Sequence, residues 1–270
     1  TIAPSSDFSS EQVIYVAIGA TVEDASDNAI SASSITFTAA DATAPTVAFV
    51  PPDASNCVPI SSNVSLTFSE AVRNPDDSAI TDSNVGSLIT LEYTADNSPI
   101  AFTATIDSDK KVITINPDSN FSSEQTVYVA IGATLEDDAD NAISASEITF
   151  VAADSTAPSL DFTPADSATG IAVNSDITIA FDEVIRNTDD SALTDSNVDS
   201  LITLKTTNSS GTDIAFDAVI DNSKQLITIA PSSNFSSEQV IYVAIGATVE
   251  DASDNGSSAR GRRGPGGEGT

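Results

Sequence analysis

The sequence has no histidine, no tryptophan and no methionine, and a single cysteine, Cys57. Without histidine there is no base for a Ser–His or Cys–His nucleophile. Zinc sites draw on cysteine and histidine, so none is credible. A lone thiol closes no internal disulfide, and a domain of 100 residues or more buries enough core without one. Cys57 is therefore read as a small side chain in a loop. There is no run of about 18 apolar residues to span a bilayer, and no charged-then-apolar leader opens the chain. With Thr1 first and no methionine, the sequence reads as a fragment of a longer protein. Basic residues are scarce: 9 against 40 acidic. Arg260, Arg262, Arg263 and Glu268 lie in the last fifteen residues, which leaves six basic and 39 acidic residues, a net charge of −33, on the rest. Such a charge repels nucleic acid and anionic membrane, so neither is expected as a partner. No Gly-rich phosphate loop follows a strand, and the 6% of aromatic residues have no basic interleaving. Two carboxylates suffice for glycoside hydrolysis. Here, however, carboxylates recur in the turns of every repeat, whereas an active site is one pocket with its own surroundings. No enzymatic activity is expected.

What is present is apolar residues, 40% of the chain, in short runs, which a disordered acidic tail lacks. Above all there is a repeat. The segment TIAPSSDFSSEQVIYVAIGA at 1–20 returns at 114–133 and 228–247. Thr43-Ala44-Pro45 returns as Thr156-Ala157-Pro158, a period of 113. Ser69-Glu70-Ala71-Val72-Arg73-Asn74 returns as Asp182-Glu183-Val184-Ile185-Arg186-Asn187. Phe102 pairs with Phe216 at a spacing of 114, so one residue is inserted between Leu204 and Ile214. A period above 100 exceeds any solenoid unit of about 20–50 residues and is the size of a whole domain. The expected organisation is residues 1–42 as the back part of one repeat, 43–155 as a complete repeat, and 156–255 as a repeat lacking its last strand. A flexible Gly/Arg-rich tail is expected from 256 to 270.

Within 43–155 the alternation of β-branched or aromatic residues with polar ones predicts seven strands, at 47–50, 64–68, 87–93, 100–106, 111–116, 126–134 and 147–152. Polar turns separate them, including 53–56, 107–110 and 137–141, where Asp, Ser and Asn bond the nearby backbone. A helical turn is expected near 81–85, capped by Thr81 or Asp82. No stretch shows a long helical period. Seven short strands in about 110 residues predict an all-β fold, a tandem of antiparallel two-sheet sandwiches. Tyr128, with its equivalents Tyr15 and Tyr242, is expected to bury its ring and give its hydroxyl to a backbone partner.

Residues 156–170, TAPSLDFTPADSATG, resemble the opening TxPxxxxxxPADGATGV of the SbsA-type bacterial Ig-like domain. Residues 174–183, NSDITIAFDE, resemble its second strand, NTxIxxxFSE, and 242–255 resemble the YTVTV…VxDxAGN near its end. The resemblance covers 43–155 and the partial units on either side. It implies immunoglobulin-like sandwiches of the kind repeated in S-layer proteins, large adhesins and other bacterial surface proteins, with an extracellular or cell-surface location and no catalytic residues. The sequence departs from the pattern at Asp140 and Ser253, where the family often has glycine, which makes the last turn more acidic.

Calcium takes six to eight oxygens, readily from Asp, Asn and backbone carbonyls in loops. The candidate ligands are Asp137, Asp138, Asp140 and Asn141, with Asp24, Asp27 and Asn28 and with Asp251, Asp254 and Asn255 at the repeat equivalents. Asp41 and Asp154, just before Thr-Ala-Pro, are candidates for a metal that stiffens the joint. A second acidic group is Asp76, Asp77 and Asp82, with Asp189, Asp190 and Asp195. The alternative is that these residues only form turns on a surface kept acidic for solubility. The function expected is a structural repeat segment: an adhesin stalk, S-layer or fibre. The alternatives are a carbohydrate- or protein-binding module, and an accessory domain of a secreted enzyme. Expected partners are neighbouring repeats or copies of the same chain. In the latter case strand complementation would run head to tail, with the strand expected at 34–39 completing the third unit. A surface glycan or protein remains the partner of the binding-module alternative.

Overall fold

Val64, Leu66 and Phe68 are buried while Ser65 and Thr67 face away, the two-residue period of a strand with one face on a core. The same logic lays down the rest of the molecule, a computed structural model that describes residues 1–257 and 260–263. It divides into two compact units, Thr1–Ala153 and Asp154–Thr270.

The first unit opens with a hairpin, β1 (Val13–Ile18) and β2 (Ser33–Thr38). Eight strands follow: β3 (Val47–Val50), β4 (Ser55–Val58), β5 (Val64–Phe68), β6 (Ile89–Tyr93), β7 (Phe102–Ile106), β8 (Val112–Pro117), β9 (Thr126–Ile131) and β10 (Ser146–Ala152). They form two sheets, in the orders β3-β5-β8-β7 and β4-β10-β9-β6. All pairings are antiparallel except β4 with β10. One core lies between the sheets. Leu66, Ile113 and Ile115 enter it from the first, and Val127, Val129 and Phe150 from the second. Phe150 meets Phe121 edge to face with ring centroids 5.3 Å apart, a favourable aromatic geometry.

The hairpin repeats the β9–β10 pairing residue for residue. Val16 opposes Ile35 as Val129 opposes Ile148. Its surroundings differ. Phe150 is 1% exposed, but its equivalent Phe37 is 43%; Ile148 is 6% and Ile35 62%. The core of the unit is drawn from residues 58 to 152, so the hairpin's apolar face meets no second sheet there.

In the second unit β11 (Leu160–Thr163), β12 (Ile177–Phe181), β13 (Arg186–Asn187), β14 (Ile202–Thr206), β15 (Phe216–Ile220), β16 (Leu226–Pro231), β17 (Ile241–Ile245), β18 (Val249–Glu250) and β19 (Arg260–Arg263) form sheets β11-β12-β16-β15, β14-β17-β19 and β13-β18. A second core, from Leu160 to Val249, is built like the first.

Several expectations are corrected. The turn expected at 53–56 runs directly into β4, because Ala54 and Cys57 adopt positive φ (58° and 54°) and swing the chain alongside β10. Cys57 is thus an exposed strand residue and not a loop one. The helical turn is a 3-10 turn at Val85–Leu88, with Asn84 at its start. Asp82 instead accepts the Ile106 N–H at 2.9 Å and ties that turn to β7. The Tyr128 hydroxyl donates to the Glu147 carboxylate, not to backbone, and Tyr15 is 67% exposed. The tail expected as flexible forms a strand over Arg260–Arg263 that pairs with β17, so the sheet has a strand where none was expected. The remainder of that tail, residues 258–259 and 264–270, lies outside the described residues.

Candidate metal centre

The turn after β9 is built on Asp137. One of its carboxylate oxygens accepts the N–H groups of Ala139 (2.7 Å) and Asn141 (2.9 Å), and the other accepts the Asn141 side-chain amide (2.9 Å). Asp251 repeats this with Ser253 (2.7 Å) and Asn255 (2.9 and 2.8 Å). Asp24 does the same with Ser26 and Asn28. A short side chain that bonds the backbone two and four residues on is the reason aspartate sits here. The fourth residue of each turn, Asp27, Asp140 or Asp254, has φ near +65°, which explains why glycine is common at that place in the resembling pattern; in the last turn the place is therefore Asp254 and not Ser253, as expected above.

Around this turn the carboxylates sort into two kinds of cluster. In the first, Asp77, Glu136 and Asp140 surround Arg73. Its guanidinium lies 2.9 Å from Asp77 and 2.6 Å from Asp140, and Nε is 3.5 Å from Glu136. Burial disfavours the Arg73 charge, yet Asp77, Asp140, Glu136 and Asp138 more than offset it and raise its pKa. Arg186 fills the equivalent cluster of Asp190, Glu250 and Asp254. In each of these clusters one arginine faces three carboxylates and offsets part of their charge.

The second kind brings together Asp41, Glu70 and Asp137, and, one period later, Asp154, Glu183 and Asp251. In each group one carboxylate oxygen per residue lies within 4.8 Å of the others. The three come from the segment before Thr-Ala-Pro, the end of β5 or β12, and the turn after β9 in the first unit or after β18 in the second. Asp137 and Asp251 are buried, at 2% and 1% exposure. Asp41 is held by Ser10 Oγ (2.6 Å) and the Thr43 N–H (3.0 Å). In the first of these clusters Lys111 and Arg73 offset the carboxylate charge only in part. The Glu70 carboxyl is pushed up, first by desolvation and then by repulsion from Asp137, Asp41 and Glu11, with Lys111 pulling the other way. Asp137 pays desolvation too, but its turn bonds from Asn141 and Ala139, with Arg73 nearby, hold its pKa below the ordinary value. Asp251 follows the same pattern and lies within hydrogen-bond reach of Asp154. Two carboxyl groups that close require a proton or a cation between them. Three carboxylates, completed by carbonyls or water, are the donor set of a hard divalent cation.

The candidate residues therefore separate. Asp41, Asp137, Asp154 and Asp251 converge, whereas Asp140 and Asp254 belong to the arginine clusters. Asp138 stands 94% exposed by side chain. Asn141 and Asn255 brace the turn. Asp24, Asp27 and Asn28 form their turn but join no cluster of three among the described residues. The second acidic group is also divided: Asp76 and Asp189 bond Ser78 and Ser191, while Asp82 and Asp195 bond the backbone of Ile106 and Ile220. Glu70 and Glu183 were not foreseen as ligands. Their signal was the glutamate repeated at the end of that strand, in Ser69-Glu70 and Asp182-Glu183.

The bacterial Ig-like domain family matches residues 41–151 and again 154–261. The chain belongs to this family. The recognition made from residues 156–183 and 242–255 is thereby shown, as is the all-β, tandem Ig-like class. Among solved structures, the N-terminal part of the bacterial S-layer protein SbsC is similar at 10% identity over 83% of this chain and 45% of that one, with a TM-score of 0.31. A longer SbsC chain, rSbsC(31-844), gives 8%, 82%, 40% and 0.30, and Titin-A168169 gives 6%, 82%, 97% and 0.30. The chain spans less than half the length of either SbsC chain. No curated relative matches it. Among the described residues no helix is long and apolar enough to cross a membrane.

Proposed function

We propose that this bacterial Ig-like chain is a non-catalytic structural segment of a secreted or cell-surface protein, a stalk, fibre or S-layer element, in which calcium ties each repeat to the segment that leads into it. The supporting observation is the recurrence of one cluster. Asp41, Glu70 and Asp137 reappear as Asp154, Glu183 and Asp251, with the first member in the segment entering the repeat and the other two in its body. A cation there links that segment to the sandwich and removes the repulsion that raises the Glu70 pKa. Turn-forming alone accounts for Asp137, but not for a glutamate placed against it. No observation favours the glycan-binding alternative. Tyr93, its best aromatic candidate, packs on the core and accepts the Ser122 N–H at 2.8 Å.

The experiment is thermal melting in 10 mM calcium and in chelator at constant ionic strength. Extracellular modules bind calcium at about 10⁻⁴–10⁻³ M. Binding linkage then contributes about 1.4–2.7 kcal/mol per site, a rise of several degrees. Glu70→Gln supplies a change of sign. It removes a repelling charge, so it raises the midpoint of the first unit in chelator, and it removes a ligand, so it reduces that unit's rise in calcium. Equal midpoints with and without calcium contradict the calcium site. They leave the structural role to be tested by electron microscopy of the parent protein, where rods or fibres are expected and a compact particle contradicts it.

A further inference from the structure

The loop between β8 and β9 contains Asp118-Ser119-Asn120-Phe121-Ser122. Asparagine, then any residue but proline, then serine or threonine is the acceptor triplet for an N-linked glycan on an exported chain. Such triplets begin at Asn63, Asn120, Asn208, Asn234 and Asn255. They differ in the residue two places earlier, which is Ser61, Asp118, Thr206, Ser232 and Ser253 in turn, so only Asn120 has an acid there. A carboxylate at that place offers the transferring enzyme an ion pair beside the asparagine, the added handle that bacterial oligosaccharyltransferases read.

The fold also treats these asparagines differently. The Asn255 amide is spent on Asp251 at 2.8 Å, and the Asn208 side chain accepts the Ser210 N–H at 2.9 Å. Asn120 is exposed, and its carboxamide makes no hydrogen bond among the described residues. Its neighbour is fixed: Phe121 is 2% exposed and packs on Phe150, and its N–H donates to the Ile60 carbonyl at 2.9 Å. Phe121 thus anchors the loop, while a substituent on the Asn120 amide meets solvent and not core. Packing does not demand an asparagine here, since the copy of this segment at 1–20 has Asp7 in its place.

We propose that Asn120 is an N-glycan acceptor and that its donor is an oligosaccharide on a polyprenyl-diphosphate carrier. The Asn120 Nδ2 bonds the anomeric carbon of the first sugar, and the bond from that carbon to the diphosphate oxygen breaks. The polyprenyl diphosphate leaves, and one amide proton passes to a base of the transferase. Transfer precedes folding. In the folded repeat the Phe121 and Ser122 N–H groups are both taken, by the Ile60 carbonyl and by the Tyr93 hydroxyl at 2.8 Å, so the loop is not free to extend into an enzyme. A chain crossing a membrane is unfolded, which makes export the moment of transfer. The proposal therefore rests on the secreted or cell-surface location proposed above.

The test is mass spectrometry of the parent protein recovered from the cells that make it, after cleavage beside Lys111 and Arg186. Expected is one oligosaccharide on Asn120 and none on Asn234. Asn120→Gln removes it. Asp118→Ala is expected to lower the occupied fraction by about tenfold or more, and Ser232→Asp to add a second oligosaccharide on Asn234. The three substituted residues are exposed, and unchanged melting of the variants verifies their folding. A surface protein with bare Asn120 overturns the proposal and leaves the location standing, whereas a protein retained inside the cell overturns both. Occupancy unchanged by Asp118→Ala also overturns it, because the acid is what singles out this asparagine.

Discussion

Cys57 and Gly170 occupy the same place in the two repeats, and both have positive φ, 54° and 72°. Glycine takes this conformation without strain, whereas other residues pay about 1 kcal/mol. Part of the gain from Cys57→Gly is lost to the greater freedom of glycine in the unfolded chain. The expected outcome is a first unit more stable by about 0.5 kcal/mol in denaturant melts, with no exposed thiol. Arg73 is a second case. Glu136 is 8% exposed beneath it. Arg73→Ala leaves that carboxylate and its neighbours unpaired and is expected to destabilise the unit by about 2 kcal/mol. Arg73→Lys restores only part of this, because an ammonium cannot fork between Asp77 and Asp140. Asp221 gives a pH dependence. Its carboxylate accepts the Ser223 hydroxyl and the N–H groups of Gln225 and Leu226, which lowers its pKa to about 2. The folded value lies below the unfolded one, so its contribution is present above about pH 4 and fades as pH falls toward 2. Asp221→Ala is expected to cost about 1.5 kcal/mol at pH 7 and to flatten the acid limb of a stability-versus-pH curve.

At the scale of elements, the two-residue period located the strands well. Val47–Val50 and Val64–Phe68 fall where alternation places them. Errors arose where side-chain pattern is not the deciding term. β4 has no apolar alternation and is a strand because two residues at positive φ lay it beside β10. The Tyr128 hydroxyl turned to Glu147, a cross-strand neighbour that a linear reading does not bring near. The acidic cluster was legible in part. Its turn aspartates announce themselves by local spacing and Asp41 by its place before Thr-Ala-Pro, but Glu70 joins only through tertiary folding, and Arg73 draws Asp140 away. An element-scale prediction follows from β2. Because Phe37 and Ile35 lie outside the buried cores, Phe37→Ala is expected to change the melting of dilute chain by less than 0.5 kcal/mol. Phe150→Ala, at the equivalent place, is expected to cost about 3–5 kcal/mol.

Over the whole molecule, a period of 113–114 residues produces two separate cores, each closed by its own pair of sheets. The acidity that surrounds them is of two kinds, one built around Arg73 or Arg186 and one that gathers Asp41, Glu70 and Asp137 or their repeat equivalents. The second cluster recurs in both units and includes an aspartate from the segment entering each. The Glu70 carboxyl, with its pKa raised by burial and by Asp137 and Asp41, takes up a proton more readily folded than unfolded. Without a cation, stability therefore falls as pH rises through its folded pKa, and with calcium this fall is offset.

The most direct measurement is a calorimetric calcium titration of the chain at pH 7. Two ions per chain are predicted at sub-millimolar to millimolar affinity, one after Glu70→Gln and none after Glu70→Gln with Glu183→Gln. A chain that takes up no calcium, or whose uptake is unchanged by both substitutions, contradicts the account.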